Sequence, residues 1–373
     1  MAGSGLEGVV VARTRLGKID GAAGTLEYTG YPIEELAQHT TFEEVCYLLW
    51  NGELPNEVQL DSLRQEMAAV YALPEDVMAM IRAAPANAHP MAVLRTAVSA
   101  LGVHDPEADD MSPEANLRKA IRLTARLPTI TAATVRLRRR EQPVAPRPEL
   151  GIAANLLYMM TGEEPGPQEV RTMDVALILH AEHGLNASTF SGRVTIATLA
   201  DLYSAVTSAI GTLKGPLHGG ANERVMGMLR EIGEPEQAEE WIRGALERGD
   251  KIMGFGHRVY RALDPRAPIL RDLGDELGSS KWFEISDRVR AAMRAAMDER
   301  GKEIYANVDF YSASVYDTLG IPTRFFTNIF ACARIAGWTA HILEQLDDNR
   351  LIRPKAEYVG PERRSVQSIE QRG

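Results

Sequence analysis

The chain has 373 residues, 45% hydrophobic and 25% charged, with a mean hydropathy of -0.19. That balance belongs to a globular protein large enough for two domains, or for one large domain with a smaller companion. A net charge of -10 without a long basic stripe excludes a general nucleic-acid binder, and no apolar run approaches the ~20 residues of a membrane span.

The opening Met1 to Gly8 has no charged leader and no hydrophobic signal region, which predicts a cytoplasmic protein. Strand signal is confined to residues 8–31. There Val9, Val10 and Val11 lead to a turn at Gly21 and Gly24, then Thr25-Leu26-Glu27-Tyr28, predicting a small hairpin. Beyond it the pattern is helical. Thr41 and Glu44 have capping-box spacing ahead of Val45, Leu48 and Leu49, and Gly52 ends the segment. Pro90 opens a helix bearing Val93, Leu94 and Val98 that closes at Gly102. Further helices are predicted over 113–140, 151–162, 167–184, 195–214, 220–232, 234–249, 282–300 and 323–347. Proline at the starts and glycine at the ends is the asymmetry expected of helices. The run Arg136 to Arg140, followed by Pro143, Pro146 and Pro148, reads as a solvated helix end and a connector. Strands and helices do not alternate, so the fold class is all-α rather than a doubly wound sheet. Cys46 and Cys332, both in apolar helical surroundings, read as buried thiols.

Three histidines sit beside glycine: His183 before Gly184, His218 in Lys-Gly-Pro-Leu-His-Gly-Gly, and His257 in Gly-Phe-Gly-His-Arg. Glycine lets a ligand approach the backbone, and histidine supplies a donor, an acceptor or a cation near neutral pH. Gly254 and Gly256 do not complete a dinucleotide fingerprint, because Val259 stands where the third glycine belongs. His180 and His183, three apart on a predicted helix, lack the further ligands of a metal site. His218 precedes a predicted helix start, whose positive potential favours a neutral imidazole able to donate to an enolate oxygen.

His257 is followed by Arg258, Arg261 and Arg266, and Arg334 lies in an apolar helix where a guanidinium requires an anionic partner. Arg353, in Ile-Arg-Pro, is a weaker candidate. Arginine pairs bidentately with carboxylates and phosphates. Asp309, between Val308 and Phe310, is a carboxylate that desolvation would strengthen as a base. One base, neutral histidine donors and several arginines imply proton abstraction beside a carbonyl on a small polyanionic substrate, with carbon–carbon bond formation or its reverse.

At these residues the chain resembles the citrate synthase family. The resemblance extends over Gly-Leu-Glu-Gly-Val-Val at 5–10, Gly-Tyr-Pro-Ile-Glu-Glu-Leu at 30–36, Phe-Glu-Glu-Val-Cys-Tyr-Leu-Leu-Trp at 42–50 and His-Pro-Met-Ala-Val-Leu-Arg-Thr at 89–96. It continues through Arg-Leu-Pro-Thr-Ile-Thr-Ala at 126–132, His-Ala-Glu-His-Gly-Leu-Asn-Ala-Ser-Thr at 180–189, the site segments and Ile-Arg-Pro. It implies a helical homodimer with a discontinuous large domain, 1–219 and 321–373, a small domain over 220–320, and a substrate cleft between them. The implied reaction condenses acetyl-CoA with oxaloacetate and hydrolyses citryl-CoA to citrate and CoA. The implied roles are proton abstraction by Asp309, enolate stabilisation by His218 and ketone polarisation by His257. His183, Arg266 and Arg334 would bind the oxaloacetate carboxylates, with Arg353 crossing from the other subunit. Lys251, Ile252, Met253, Gly254, Arg261 and Asn307 would line the coenzyme A site. Neither metal nor resident cofactor is implied.

Nearly the same motifs occur in 2-methylcitrate synthases, which use propionyl-CoA, and one methylene is worth only ~1–3 kcal/mol of discrimination. A non-catalytic sensor of CoA or dicarboxylates would need the arginines but neither Asp309 nor His218. The tail after Gly360 follows the family only loosely.

Overall fold

The computed structural model describes residues 4–6, 8–257, 259–278 and 280–372, so Arg258 lies outside it. The N-terminal sheet is antiparallel and three-stranded, β1 (Gly17–Asp20), β2 (Thr25–Tyr28) and β3 (Tyr31–Pro32), with Gly17 opposite Tyr28 and Asp20 opposite Thr25. The hairpin therefore begins later than the valine run suggested. Asp20 accepts hydrogen bonds from the Ala22 and Ala23 N–H groups, which fixes a turn whose register pairs residues 17–20. Val9 to Val11 have no strand opposite them among the described residues, and Val10 is 87% exposed.

Among the described residues the remaining regular structure is helical, apart from an isolated bridge between Phe255 and Ala306. Ten helices form the first run: α1 (Ile33–His39), α2 (Phe42–Asn51), α3 (Glu57–Ala68), α4 (Glu75–Ala83), α5 (Pro90–Val103), α6 (Pro113–Arg138), α7 (Ile152–Thr161), α8 (Pro167–Ala181), α9 (Ala187–Ile196) and α10 (Leu202–Leu213). They are followed by α11 (Ala221–Ile232), α12 (Ala238–Arg248), α13 (Arg266–Glu276), α14 (Lys281–Asp298), α15 (Val308–Thr318) and α16 (Phe326–Asp347). Local chemistry explains many boundaries. Thr41 and Glu44 close a reciprocal capping box on α2, and Gly52 ends it at φ 86°. The helix predicted over 195–214 is two helices, because Asp201 caps the Ser204 N–H and starts α10 afresh.

One boundary differs from expectation with consequences for function. Helix α8 stops at Ala181, so His180 is on the helix and His183 is not. The Tyr28 hydroxyl donates to the Glu182 carbonyl at 2.8 Å and accepts from the Glu182 N–H at 3.3 Å, holding Glu182 extended. A strand residue thus ends a helix 154 positions away, which no local pattern announces.

Helix α16 is buried along most of its length and packs on α2, α5, α6, α8, α9 and α10. Its approach to α8 requires Gly337, since a Cβ there would stand 2.3 Å from the Ala181 carbonyl oxygen. Helices α11 to α15 pack chiefly on one another, with α13 also touching α1 and α8 and α11 also touching α16. Both cysteines are buried and unbridged. No helix among the described residues is long and apolar enough to cross a membrane.

Candidate active site

Asp309 is the second residue of α15, and three hydrogen bonds fix that helix start. Asn307 Oδ1 accepts the Asp309 N–H at 3.1 Å, Asn307 Nδ2 donates to the Gly256 carbonyl at 2.9 Å, and the Asn307 N–H donates to the Gly254 carbonyl at 2.9 Å. Gly254 has φ 79°, and a Cβ there would stand 2.8 Å from the Phe310 ring, so this position demands glycine. The Asp309 carboxyl has neither a hydrogen bond nor an ion pair among the described residues. Burial pushes its pKa up to about 6, with Arg266 and Arg334 pulling the other way. This is a carboxylate held ready to accept a proton.

The two histidines with expected chemical roles have fixed ring orientations. His257 Nδ1 accepts from the Val259 and Tyr260 N–H groups at 3.0 and 3.2 Å, so the proton of the neutral ring belongs on Nε2. His218 Nε2 accepts from the Ser188 N–H at 3.3 Å, a contact that the tautomer protonated at Nδ1 satisfies. Ser188 Oγ lies 2.7 Å from the same nitrogen and itself accepts from Trp338 Nε1–H at 3.0 Å. Both histidines are driven down to about 4, His218 by burial and then Arg334, His257 by burial and then Arg266. Burial, and then the neighbouring Arg334, favours the neutral His218 expected from the sequence. His183 stands 5.3 Å from His257 between ring centroids, and its Nε2 is 3.2 Å from the Tyr260 hydroxyl. Burial, Arg266 and Arg334 hold His183 well below the ordinary histidine range.

The arginines differ from one another. Arg266 opens α13 and is 2% exposed, yet its fork is occupied: Nε and Nη2 donate to the Asp264 carboxylate at 2.9 and 2.8 Å. Asp264 Oδ2 also accepts the Val308 N–H at 3.3 Å, binding the starts of α13 and α15 together. Burial opposes charge on both partners, but each keeps the other ionised. Arg334 is equally buried, and its recorded hydrogen bond is Nε to the His180 carbonyl at 2.6 Å. No carboxylate among the described residues lies within 4.0 Å of it, so burial lowers its pKa to about 10. A buried guanidinium with an open fork has the chemistry to receive a carboxylate. Arg334 acts electrostatically on His183, His218 and Asp309, which places it among them. Arg353 is exposed and lines a separate open cleft of 900 Å³ with Arg15, Arg193 and Glu344.

Of the predicted coenzyme A residues, Arg261 and Asn307 share a 170 Å³ cavity with Gly256, His257 and Tyr305. Lys251 is exposed and Met253 half-buried, whereas Ile252 is 4% exposed and part of the core. Sequence reasoning missed Asp264, Ser188, Tyr260, and Glu182 with His341. Asp264-Pro265-Arg266 at a helix start was a usable local signal, whereas Ser188 and Trp338 meet across 150 residues and gave none.

With one free base, two oriented neutral donors and an open buried guanidinium assembled, comparison with known proteins is decisive. Residues 5–355 match the model of the citrate synthase C-terminal domain. Citrate synthase 2 of Bacillus subtilis is 52% identical over 373 residues, covering 99% of this chain and 98% of that protein. A 2-methylcitrate synthase of Mycobacterium tuberculosis is 45% identical over 364 residues, covering 96% and 91% respectively. The solved ternary complex of Thermoplasma acidophilum citrate synthase with carboxymethyl coenzyme A and oxaloacetate superposes with a TM-score of 0.92 at 35% identity, over 99% of this chain and 98% of that one. The chain belongs to the citrate synthase family, a family of acyl-transferring enzymes.

Proposed function

We propose that the chain condenses acetyl-CoA with oxaloacetate and hydrolyses the citryl-CoA formed to citrate and CoA. The carrying observation is the Asp309 carboxyl, free of partners among the described residues and raised to about 6, in one site with two histidines that each accept from backbone N–H groups on one ring nitrogen. Asp309 removes a methyl proton from acetyl-CoA while His218 Nδ1–H hydrogen-bonds the thioester oxygen as enolate charge develops. The enolate carbon attacks the oxaloacetate ketone carbon. The ketone oxygen takes the proton of His257 Nε2–H and becomes the citryl hydroxyl, and the proton removed by Asp309 returns through water to His257, so that both side chains are restored. Water then cleaves the thioester. His183, Arg266 and Arg334 hold the oxaloacetate carboxylates, and Arg261, Asn307 and segment 251–254 receive coenzyme A. Every step uses side chains, water and the two substrates.

The working unit in this proposal is a homodimer in which Arg353 completes the partner's oxaloacetate site. Its exposure, its place in a cleft that includes neither Arg266 nor Arg334, and the uncovered apolar tail support that reading; Tyr358, Val359 and Val366 are 78, 88 and 90% exposed. Propionyl-CoA is the second acyl donor to weigh, given the 45% identity to a 2-methylcitrate synthase. Release of free thiol on mixing oxaloacetate with acetyl-CoA or propionyl-CoA tests the function. Faster release with acetyl-CoA supports it, preference for propionyl-CoA moves it to the methylcitrate reaction, and no release with either overturns it.

A further inference from the structure

Behind the proposed oxaloacetate site lies a buried charged network that the reaction scheme does not use. Glu182, 0% exposed, follows α8 and adjoins His183. Its Oε1 accepts from His341 Nε2 at 3.0 Å and from the Gly184 N–H, while Oε2 is buried with no hydrogen-bond partner among the described residues. His341, on α16, is also completely buried. Its Nδ1 lies 3.2 Å from Arg193 Nη1, which can only donate, so the His341 proton belongs on Nε2 and points at Glu182. Arg193 is fixed in turn by Glu344 at 2.8 Å and by Gln345 at 3.0 Å.

Arg334 is the group this network leaves alone. Among the charges acting on it, Glu182 is the strongest, and Arg334 Nε binds the carbonyl of His180, two residues before Glu182. The Oε2 atom also lies 2.6 Å from where a Cβ of Gly337 would be, one helical turn along α16 from Arg334. A buried carboxylate with a free oxygen beside a buried guanidinium with a free fork would ordinarily close into an ion pair. Here it does not.

We propose that His341 is a positioning residue for oxaloacetate binding: by donating to Glu182 it holds that carboxylate off the Arg334 guanidinium and keeps the fork open for the substrate carboxylate. Arg193 sets the His341 tautomer that makes this possible, and the Gly184 N–H gives Glu182 a second anchor that also fixes the loop carrying His183. The inference rests on the reading that Arg334 receives oxaloacetate.

The test is calorimetric titration of oxaloacetate into the full chain, paired with steady-state kinetics. In His341→Leu, Glu182 loses its donor and turns to Arg334, so the oxaloacetate dissociation constant and KM rise roughly tenfold, the scale that supporting hydrogen-bond partners carry for ligand-binding groups. The kcat at saturating oxaloacetate stays near wild type, because an internal competitor is displaced by substrate. His341→Gln, whose amide still donates to Glu182, retains wild-type affinity. Adding Glu182→Gln to His341→Leu recovers affinity, because the competing charge is gone. Glu182→Gln alone keeps the Gly184 acceptor and binds oxaloacetate no worse than wild type, a measurement that stands even if His341→Leu fails to fold. Equal affinity in wild type and folded His341→Leu overturns the inference alone, as does an equal loss in Glu182→Gln. Absence of oxaloacetate binding by the wild-type chain overturns the functional reading and this inference with it.

Discussion

Asp309 carries the pH dependence of the proposed reaction. Burial raises its pKa to about 6, so the carboxyl is protonated below that value and cannot accept the methyl proton. His218 and His257, both near 4, stay neutral throughout that range. The kcat/KM for acyl-CoA should therefore fall tenfold per unit below a single bend near pH 6, on the acid side only of that bend. Asp309→Asn should abolish turnover at every pH while oxaloacetate binding survives; near-normal turnover in that variant would remove Asp309 from the scheme. Arg334 gives a complementary prediction. Its unpaired buried charge is a cost in the empty protein, so Arg334→Leu should be at least as resistant to heat as wild type. The same change should remove about 2–5 kcal/mol of oxaloacetate binding, the usual loss when one member of a desolvated charge pair is deleted. Calorimetry with unchanged affinity, or a large fall in Tm, would count against an open receptor.

At the level of elements, most of the proposed site residues lie where helices begin or end, Arg334 inside α16 being an exception. Asp309 and Arg266 open α15 and α13, His183 follows the end of α8, and the Asp264 carboxylate joins two of these ends by binding both Arg266 and the Val308 N–H. Asp264→Asn keeps the shape but leaves the Arg266 guanidinium uncompensated in a buried site. Equilibrium urea unfolding should lose about 3–5 kcal/mol, the cost of breaking a buried pair, and a loss no larger than that of a surface substitution would show that the α13–α15 tie is unimportant. How far the sequence announced these elements follows the range of the interactions that define them. The α2 capping box and the closing glycines Gly52 and Gly162 were legible because cap and helix lie within a few residues. Asp309 was legible as a desolvated carboxylate because its apolar flanks are its immediate neighbours. The stop of α8 at Ala181 was not, because Tyr28 enforces it from the N-terminal sheet. Nor was the occupied fork of Arg266: the sequence showed an arginine available to substrate, while the fold gives that arginine to Asp264 first. Arg334 fared better, since a guanidinium inside an apolar helix announces its own missing partner.

For the whole molecule, the two groups of helices meet at the site. His183 and Arg334 come from the α8 and α16 side, while His257, Arg266 and Asp309 come from the segment between α11 and α16 that packs chiefly on itself. A dicarboxylate held by Arg334 on one side and by His257 and Arg266 on the other links the two groups. We propose that they move as the large and small domains that the family resemblance implies, so that oxaloacetate draws them together. Closure excludes water, which strengthens every charge interaction around the enolate and protects it from stray protonation. It also brings the 251–257 segment and Asn307 to their working distance, so acyl-CoA should bind well only after oxaloacetate. The coupling is reciprocal: whatever factor oxaloacetate contributes to acetyl-CoA affinity, acetyl-CoA contributes to oxaloacetate affinity. Small-angle scattering should show a smaller radius of gyration with oxaloacetate alone, and titrations should show acetyl-CoA binding tightened by about 5–150-fold, the usual span of such couplings. Arg334→Leu should abolish both responses, because the link between the two groups is cut at one end. An unchanged scattering profile together with equal acetyl-CoA affinity would describe a site already assembled before substrate arrives, and ordered binding would then need a cause other than domain closure.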